Sequence, residues 1–167
     1  MSKKQKKTLV EKYLDKQKIY YHPWQFETHL KGDVYEINQN IPPNISQLIF
    51  KTLVLKGKNT EPFVGVVPIK FRINDKKMSL VTQNKKVSLV PLKDLFKTSG
   101  YLHGENTPIG IYQNKHFKIY YDQVIEEFDE VIVSAGEIGK MIQINAKELI
   151  KITNGIVADI AERNENV

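Results

Sequence analysis

The sequence predicts an α+β fold with a largely antiparallel or mixed sheet. Three observations predict it. Short runs of β-forming residues outnumber the helical segments. Two pairs of runs, 51–57 with 62–69 and 130–139 with 140–146, lie close enough in sequence to form hairpins. Helical segments fall between strands irregularly, without the strict βαβ alternation of a doubly wound sheet.

Residues 8–18, "TLVEKYLDKQK", place Leu9, Val10, Tyr13 and Leu14 on one helical face and lysines on the other. Residues 19–26, "IYYHPWQF", are rich in β-formers and read as a strand, which Pro23 assigns to an edge or a bulge. "GDVYEINQNIPPNISQ" (32–47) reads as a short helix and a turn. "LIFKTLVL" (48–55) is almost unbroken apolar sequence around Lys51, and its strand ends in a turn at Gly57–Thr60. "PFVGVVPI" (62–69) is its antiparallel partner.

Residues 75–83 read as a short helix, with strand character competing in "MSLVTQ". "KKVSLVP" (85–91) is a strand. "PLKDLFKTSG" (91–100) opens with proline, carries Leu92, Leu95 and Phe96, and stops at Gly100, the start and stop of a helix. "YLHGENTPIG" (101–110) reads as a loop and "FKIYYD" (117–122) as a strand. "EVIVSAGEIG" (130–139) is an apolar strand opening into a turn, and "KMIQINA" (140–146) alternates as its partner. A helix over 146–153 is capped by Asn154–Gly155, and "IVADIA" (156–161) ends the structured part.

A chain of 167 residues fits one compact domain. No apolar run approaches the ~20 residues that span a bilayer. No apolar signal segment follows the lysine-rich N-terminus, so the expected location is the cytoplasm. The absence of cysteine removes disulfides, Cys-based zinc sites and a cysteine nucleophile together. A net charge of +6, from 25 Lys and Arg against 19 Asp and Glu, suits an anionic partner such as nucleic acid. Arg72 and Arg163 are the only arginines, few for a protein that reads DNA base edges.

The usual catalytic patterns are missing. His22, His29, His103 and His116 do not have metal-ligand spacing. Neither GxxxxGK[ST] nor GxGxxG occurs, so no nucleotide cofactor is expected. Ser134 in "VSAG" lacks the glycine two positions earlier that a nucleophile elbow needs, because residue 132 is Ile132. The acidic run "EEFDE" (126–130) reads as a solvated helix end. Two glycine-containing loops and a strand lysine remain. Loop N–H groups can bind a carbonyl oxygen or oxyanion. A lysine aimed into a cleft can hold a phosphate. The alternative is a stem lying on the sheet with its ammonium in water.

The segments "FKTLVL" (50–55), "FVGVVP" (63–68), "TSGYLHGENTPIG" (98–110), "VSAGEIG" (133–139) and "GIVADIA" (155–161), in this order and spacing, resemble the YbaK/prolyl-tRNA editing family of aminoacyl-tRNA deacylases. The resemblance covers nearly the whole chain. It implies a single domain, residues 1–167, with a mixed, largely antiparallel, barrel-like sheet and peripheral helices. It also implies trans-acting cleavage of mischarged tRNA, in the YbaK branch Cys-tRNA(Pro). No metal or other cofactor is implied, and the substrate's own thiol attacks the ester. Lys51 would hold the tRNA 3′-terminal phosphate region, with Phe50 and Thr52 fixing its position. Gly104, Ser134 and Gly136 would supply the catalytic loops and their oxyanion-binding amides. Tyr101, Pro108 and Gly110 belong to the first loop. Phe26 falls where several members carry tyrosine, and Met141 where many carry an acidic or amide residue. The implied partner is the aminoacyl end of tRNA, with prolyl-tRNA synthetase as a candidate protein partner, and neither membrane nor DNA. A non-catalytic RNA-binding relative and an editor of another small amino acid such as alanine are the competing readings.

Overall fold

The computed structural model describes residues 6–164, so the first five residues of the lysine-rich N-terminus lie outside the described residues. Helix α1 (Leu9–Lys16) begins at a reciprocal cap: Thr8 Oγ1 accepts from the Glu11 N–H, and Glu11 returns a carboxylate oxygen to the Thr8 N–H, both at 3.1 Å. Its buried stripe is Val10 and Leu14, with Tyr13 at the margin. Leu9, expected on that face, is 78% exposed at the first helical position.

Strand β1 (Tyr21–Gln25) is an edge strand, which is why Pro23 is tolerated within it. The next segment differs from the sequence reading. β2 (Thr28–Lys31) and β3 (Val34–Ile37) form a hairpin across Gly32–Asp33, with Gly32 at φ +63°. Only the four-residue α2 (Pro43–Ser46) is helical here. Two residues headed by a left-handed glycine are a hairpin connection, and that local turn chemistry wins over helical patterning.

β4 (Phe50–Gly57) and β5 (Phe63–Pro68) form the expected hairpin, with Lys51 opposite Val67. β6 (Phe71–Ile73), α3 (Asp75–Thr82), β7 (Val87–Leu89) and α4 (Leu92–Ser99) follow, and α4 ends on Gly100 at φ +87°. The expected loop at 101–110 is helical over its last three residues. α5 (Pro108–Lys115) starts inside it, because Thr107 caps the Gly110 N–H and Pro108 occupies the first helical position. After β8 (Ile119–Asp122) come β9 (Glu130–Glu137), β10 (Lys140–Asn145) and α6 (Ala146–Ile152). β11 (Ile156–Ala158) falls within the expected last segment, and β12 (Ala161–Arg163) carries regular structure two residues past its end.

The strands group into a five-stranded sheet ordered β11-β8-β5-β4-β7 and a three-stranded sheet ordered β1-β10-β9, with β12-β6 and β2-β3 as two-stranded ribbons. β8 runs parallel to β5 and to β11, while the other pairings are antiparallel, giving the mixed α+β architecture. One parallel bridge, Ile49 to Ile132, joins the two larger sheets, with the Ile132 N–H donating to the Leu48 carbonyl at 2.8 Å. The main core packs Phe50, Val54, Val64 and Val66 of one sheet against Val131, Val133, Ile142 and Ile144 of the other, under α1 and α5. No helix among the described residues is long and apolar enough to cross a membrane.

The β9–β10 turn depends on Gly139. It sits at φ +76°, its carbonyl accepts the Phe26 N–H at 2.8 Å, and an added Cβ would stand 2.6 Å from the Phe26 carbonyl oxygen. Backbone atoms cannot yield as a side-chain tip can. Gly139→Ala is expected to cost about 1–3 kcal/mol, read as a lowered urea midpoint with an unchanged slope.

Candidate functional site

Successive strand side chains point to opposite faces, and this sorts the residues of β4. Phe50 is fully buried in the main core, edge-on to Phe128 at 5.4 Å. Thr52 lies opposite Val66 on that same face, and its Oγ1 is buried without a hydrogen-bond partner. Lys51 therefore points the other way, between Ile49 and Leu53. The structure does not bring the Phe50 and Thr52 side chains to the face of Lys51.

The same alternation turns Ser134 to the face of Lys51. Ile49 and Ile132 are bridged in parallel, so two residues further along each strand lie Lys51 and Ser134, on the face those isoleucines share. The two strands pair only at this bridge. β7 meets β4 only from Leu55 onward, so the β4 edge beside Lys51 has no partner strand. Phe26 completes a small apolar floor with Ile49 and Ile132, and Met141, opposite Ser134 in register, packs against it.

Ser134 works as a latch between the first glycine loop and the end of β9, where the sequence reading expected a second loop. Its Oγ donates to the Glu105 carbonyl and accepts the Gly136 N–H, both at 3.1 Å. The Gly136 amide, an expected oxyanion donor, is thus occupied within the protein. Gly104, next to the latched Glu105, sits exposed at φ +86°, and among the described residues its N–H meets no protein acceptor. A Cβ there would approach the Tyr35 carbonyl to 3.1 Å, so the glycine lets the loop rest on the β2–β3 hairpin.

Tyr101, Pro108 and Gly110 build the loop from behind. Tyr101 packs over Gly136, whose added Cβ would lie 3.3 Å from its ring, and its hydroxyl fills the space beside Gly110. Pro108 is buried at the start of α5. Sequence reasoning missed Ser99 and Asn106. The Ser99 hydroxyl donates to Asn106 Oδ1 at 2.7 Å and accepts the Tyr101 N–H at 3.1 Å, and Asn106 Nδ2 donates to the Leu102 carbonyl at 3.3 Å. Small polar residues spaced through a Gly/Asn-rich segment are the signal that could have found them.

Electrostatics single out Lys51. It is half-buried, forms no ion pair or hydrogen bond among the described residues, and burial alone pulls its ammonium below the ordinary lysine range. Such a cation is an anion site already partly stripped of water. On the first glycine loop, burial raises the Glu105 carboxyl, and the Glu137 carboxylate raises it further. The arrangement can hold a phosphate on Lys51 and offer a free loop amide at Gly104. Among the described residues there is no cluster of His, Asp and Glu fit to hold a metal.

Comparison with known proteins follows this geometry. A model of the aminoacyl-tRNA editing domain matches residues 33–152. A protein of Enterococcus faecalis named "Putative Cys-tRNA(Pro)/Cys-tRNA(Cys) deacylase EbsC" is 34% identical over 164 residues, covering 96% of this chain and 97% of its own. The crystal structure of hypothetical protein APE2540 superposes with a TM-score of 0.73 at 17% identity, over 92% of this chain and 99% of that one. A structure described as "a putative trans-editing enzyme for prolyl tRNA synthetase" gives a TM-score of 0.64 at 23% identity, over 70% of this chain and 72% of that one. At these identities the two structures establish the fold.

An unpartnered, half-buried lysine costs stability, and the sign of its pH dependence follows. Its folded pKa lies below its unfolded value, so the penalty is complete below the folded pKa. It is released as pH rises from there towards the unfolded value. Lys51→Met is expected to melt at or above the wild-type temperature near neutral pH, and the difference should shrink as pH climbs through that alkaline window. Thermal melts across pH 7 to about 10.5 check it.

Proposed function

This chain belongs to the aminoacyl-tRNA editing domain family, and from that premise we propose that it is a trans-acting deacylase of mischarged tRNA, with Cys-tRNA(Pro) as its substrate. The observation that carries the reading is Lys51, a desolvated cation without a counter-ion on the face shared with Ser134 and the Gly104 loop. A phosphate of the tRNA 3′ end is the anion that fits a point charge at this place. The name of the Enterococcus relative supports the choice of substrate.

The cysteinyl thiol supplies the nucleophile. Its sulfur bonds to the ester carbonyl carbon, the bond from that carbon to the ribose oxygen breaks, and the thiol proton ends on the ribose hydroxyl. Holding sulfur and carbonyl in contact makes the reaction intramolecular, which supplies a large rate factor without a protein base. The Gly104 N–H faces the developing oxyanion. Ser134 keeps that loop in place through the Glu105 carbonyl. Residues 1–167 act as one editing domain, and Lys51, Gly104, Ser134, Phe26 and Met141 form its site. Prolyl-tRNA synthetase is the protein partner this reading carries.

Two assays test it. Lys51→Met should remove deacylation of Cys-tRNA(Pro) while the protein stays folded by circular dichroism, and wild-type-like turnover by that variant would sink the assignment. On matched tRNAs, the thiol route requires that the cysteinyl ester is cleaved and the seryl ester spared. Equal rates for both would rule out attack by the side chain.

A further inference from the structure

Strand β1 carries His22 and Trp24 at alternate positions, and Phe26 directly after it continues the row by stacking on Trp24. Trp24 lies parallel to Phe26, with centroids 5.4 Å apart and planes 5° apart. His22 meets Trp24 at 5.3 Å with planes 76° apart. The indole N–H of Trp24 donates to Gln143 Oε1 at 2.9 Å, and Gln143 Nε2 donates to Glu130 Oε1 at 3.1 Å. The indole is thus fixed by stacking on its ring and by hydrogen bonding at its polar atom.

This row has a direction. Phe26 is buried in the floor with Ile49 and Ile132, next to the strand of Lys51. Trp24 is partly exposed and His22 is open to solvent. The rings therefore climb from that floor to the surface along the edge strand, and Trp24 lies in register with Met141 and Ser134. Phe26 and Trp24 both pack in the small cluster with Ile49 and Ile132, leaving the exposed His22 edge-on to Trp24. An ordered indole and an exposed imidazole above it add nothing to the main core, which lies on the other face of this sheet.

We propose that the His22–Trp24–Phe26 row is a stacking ledge for a nucleobase of the unpaired RNA 3′ end whose phosphate Lys51 holds, an inference that rests on the deacylase reading and deepens it. A single-stranded RNA end presents a π-face and a phosphate on neighbouring groups, and this face offers aromatic rings and an unpaired ammonium together. Stacking tolerates any base, so the ledge supplies affinity and position, while selection of the amino acid is left to the floor around Phe26 and Met141.

Trp24 is the only tryptophan of the chain, so intrinsic fluorescence reports on the ledge itself. The probes are an uncharged acceptor-stem minihelix ending in unpaired CCA and the same minihelix with those nucleotides abasic. The intact RNA should quench Trp24 and bind about five- to 150-fold more tightly than the abasic one. His22→Ala, a change at an exposed position, should weaken intact RNA and raise the KM for deacylation with kcat unchanged. Trp24→Phe, which keeps a ring, should bind far better than Trp24→Ala. Equal affinity for intact and abasic RNA, or an unchanged KM in His22→Ala, overturns the ledge and leaves the deacylase reading standing. Binding is read without turnover, so failure to cleave any aminoacyl-tRNA would overturn the deacylase reading while the RNA comparison still decides the ledge.

Discussion

One parallel bridge, Ile49 to Ile132, sets the geometry on which the rest depends. It seams two sheets that otherwise meet only through their packed core. It also fixes register, and a slip of one residue on either strand would turn Lys51 or Ser134 to the opposite face. Beyond the bridge the two strands stop pairing, while β7 joins β4 only at Leu55. The open stretch between is where a substrate backbone or phosphate can approach. Ser134 then ties the first glycine loop to the end of β9, and the proposed site joins these two to the face of Lys51.

Two polar groups on opposite faces of β4 are held against stability. A half-buried ammonium without a carboxylate and a buried Thr52 hydroxyl without a partner are both unfavourable in an otherwise well-satisfied protein. Neighbouring polar groups show what satisfaction looks like here. The buried Asp122 carboxylate accepts from the Val124, Ile160 and Ala161 N–H groups at 3.0–3.1 Å, and Lys77 pairs with Asp159 at 2.9 Å. Lys51 departs from that pattern, with no acidic partner among the described residues. Under the proposed function an RNA phosphate supplies that partner in the complex.

Much of this was legible in the sequence, because it depends on local chemistry. The β4–β5 and β9–β10 hairpins, the helix opened by Pro91 and closed by Gly100, and the edge position of Pro23 follow from turn residues and alternation. Two elements were misread where short turn signals sit inside longer patterns: Gly32–Asp33, which makes a hairpin, and Thr107–Pro108, which starts a helix within a glycine loop. The neighbours of Lys51 were assigned to the site because they adjoin it in sequence. Strand periodicity sends Phe50 and Thr52 into the core instead. The bridge between Ile49 and Ile132 was not legible at all, since it joins distant residues and nothing local encodes it. The row "HPWQF" was on the page throughout, but its face depends on β1 pairing with β10.

The central claim is that Lys51 is a desolvated cation waiting for an RNA phosphate. Side-chain titration of Lys51 by nuclear magnetic resonance, in labelled protein with Lys51→Met for assignment, tests it directly. In the free protein its pKa should lie below the ordinary lysine range, and adding a CCA trinucleotide should move it upward as a phosphate joins the ammonium. An ordinary lysine pKa that the trinucleotide leaves unchanged would contradict the account.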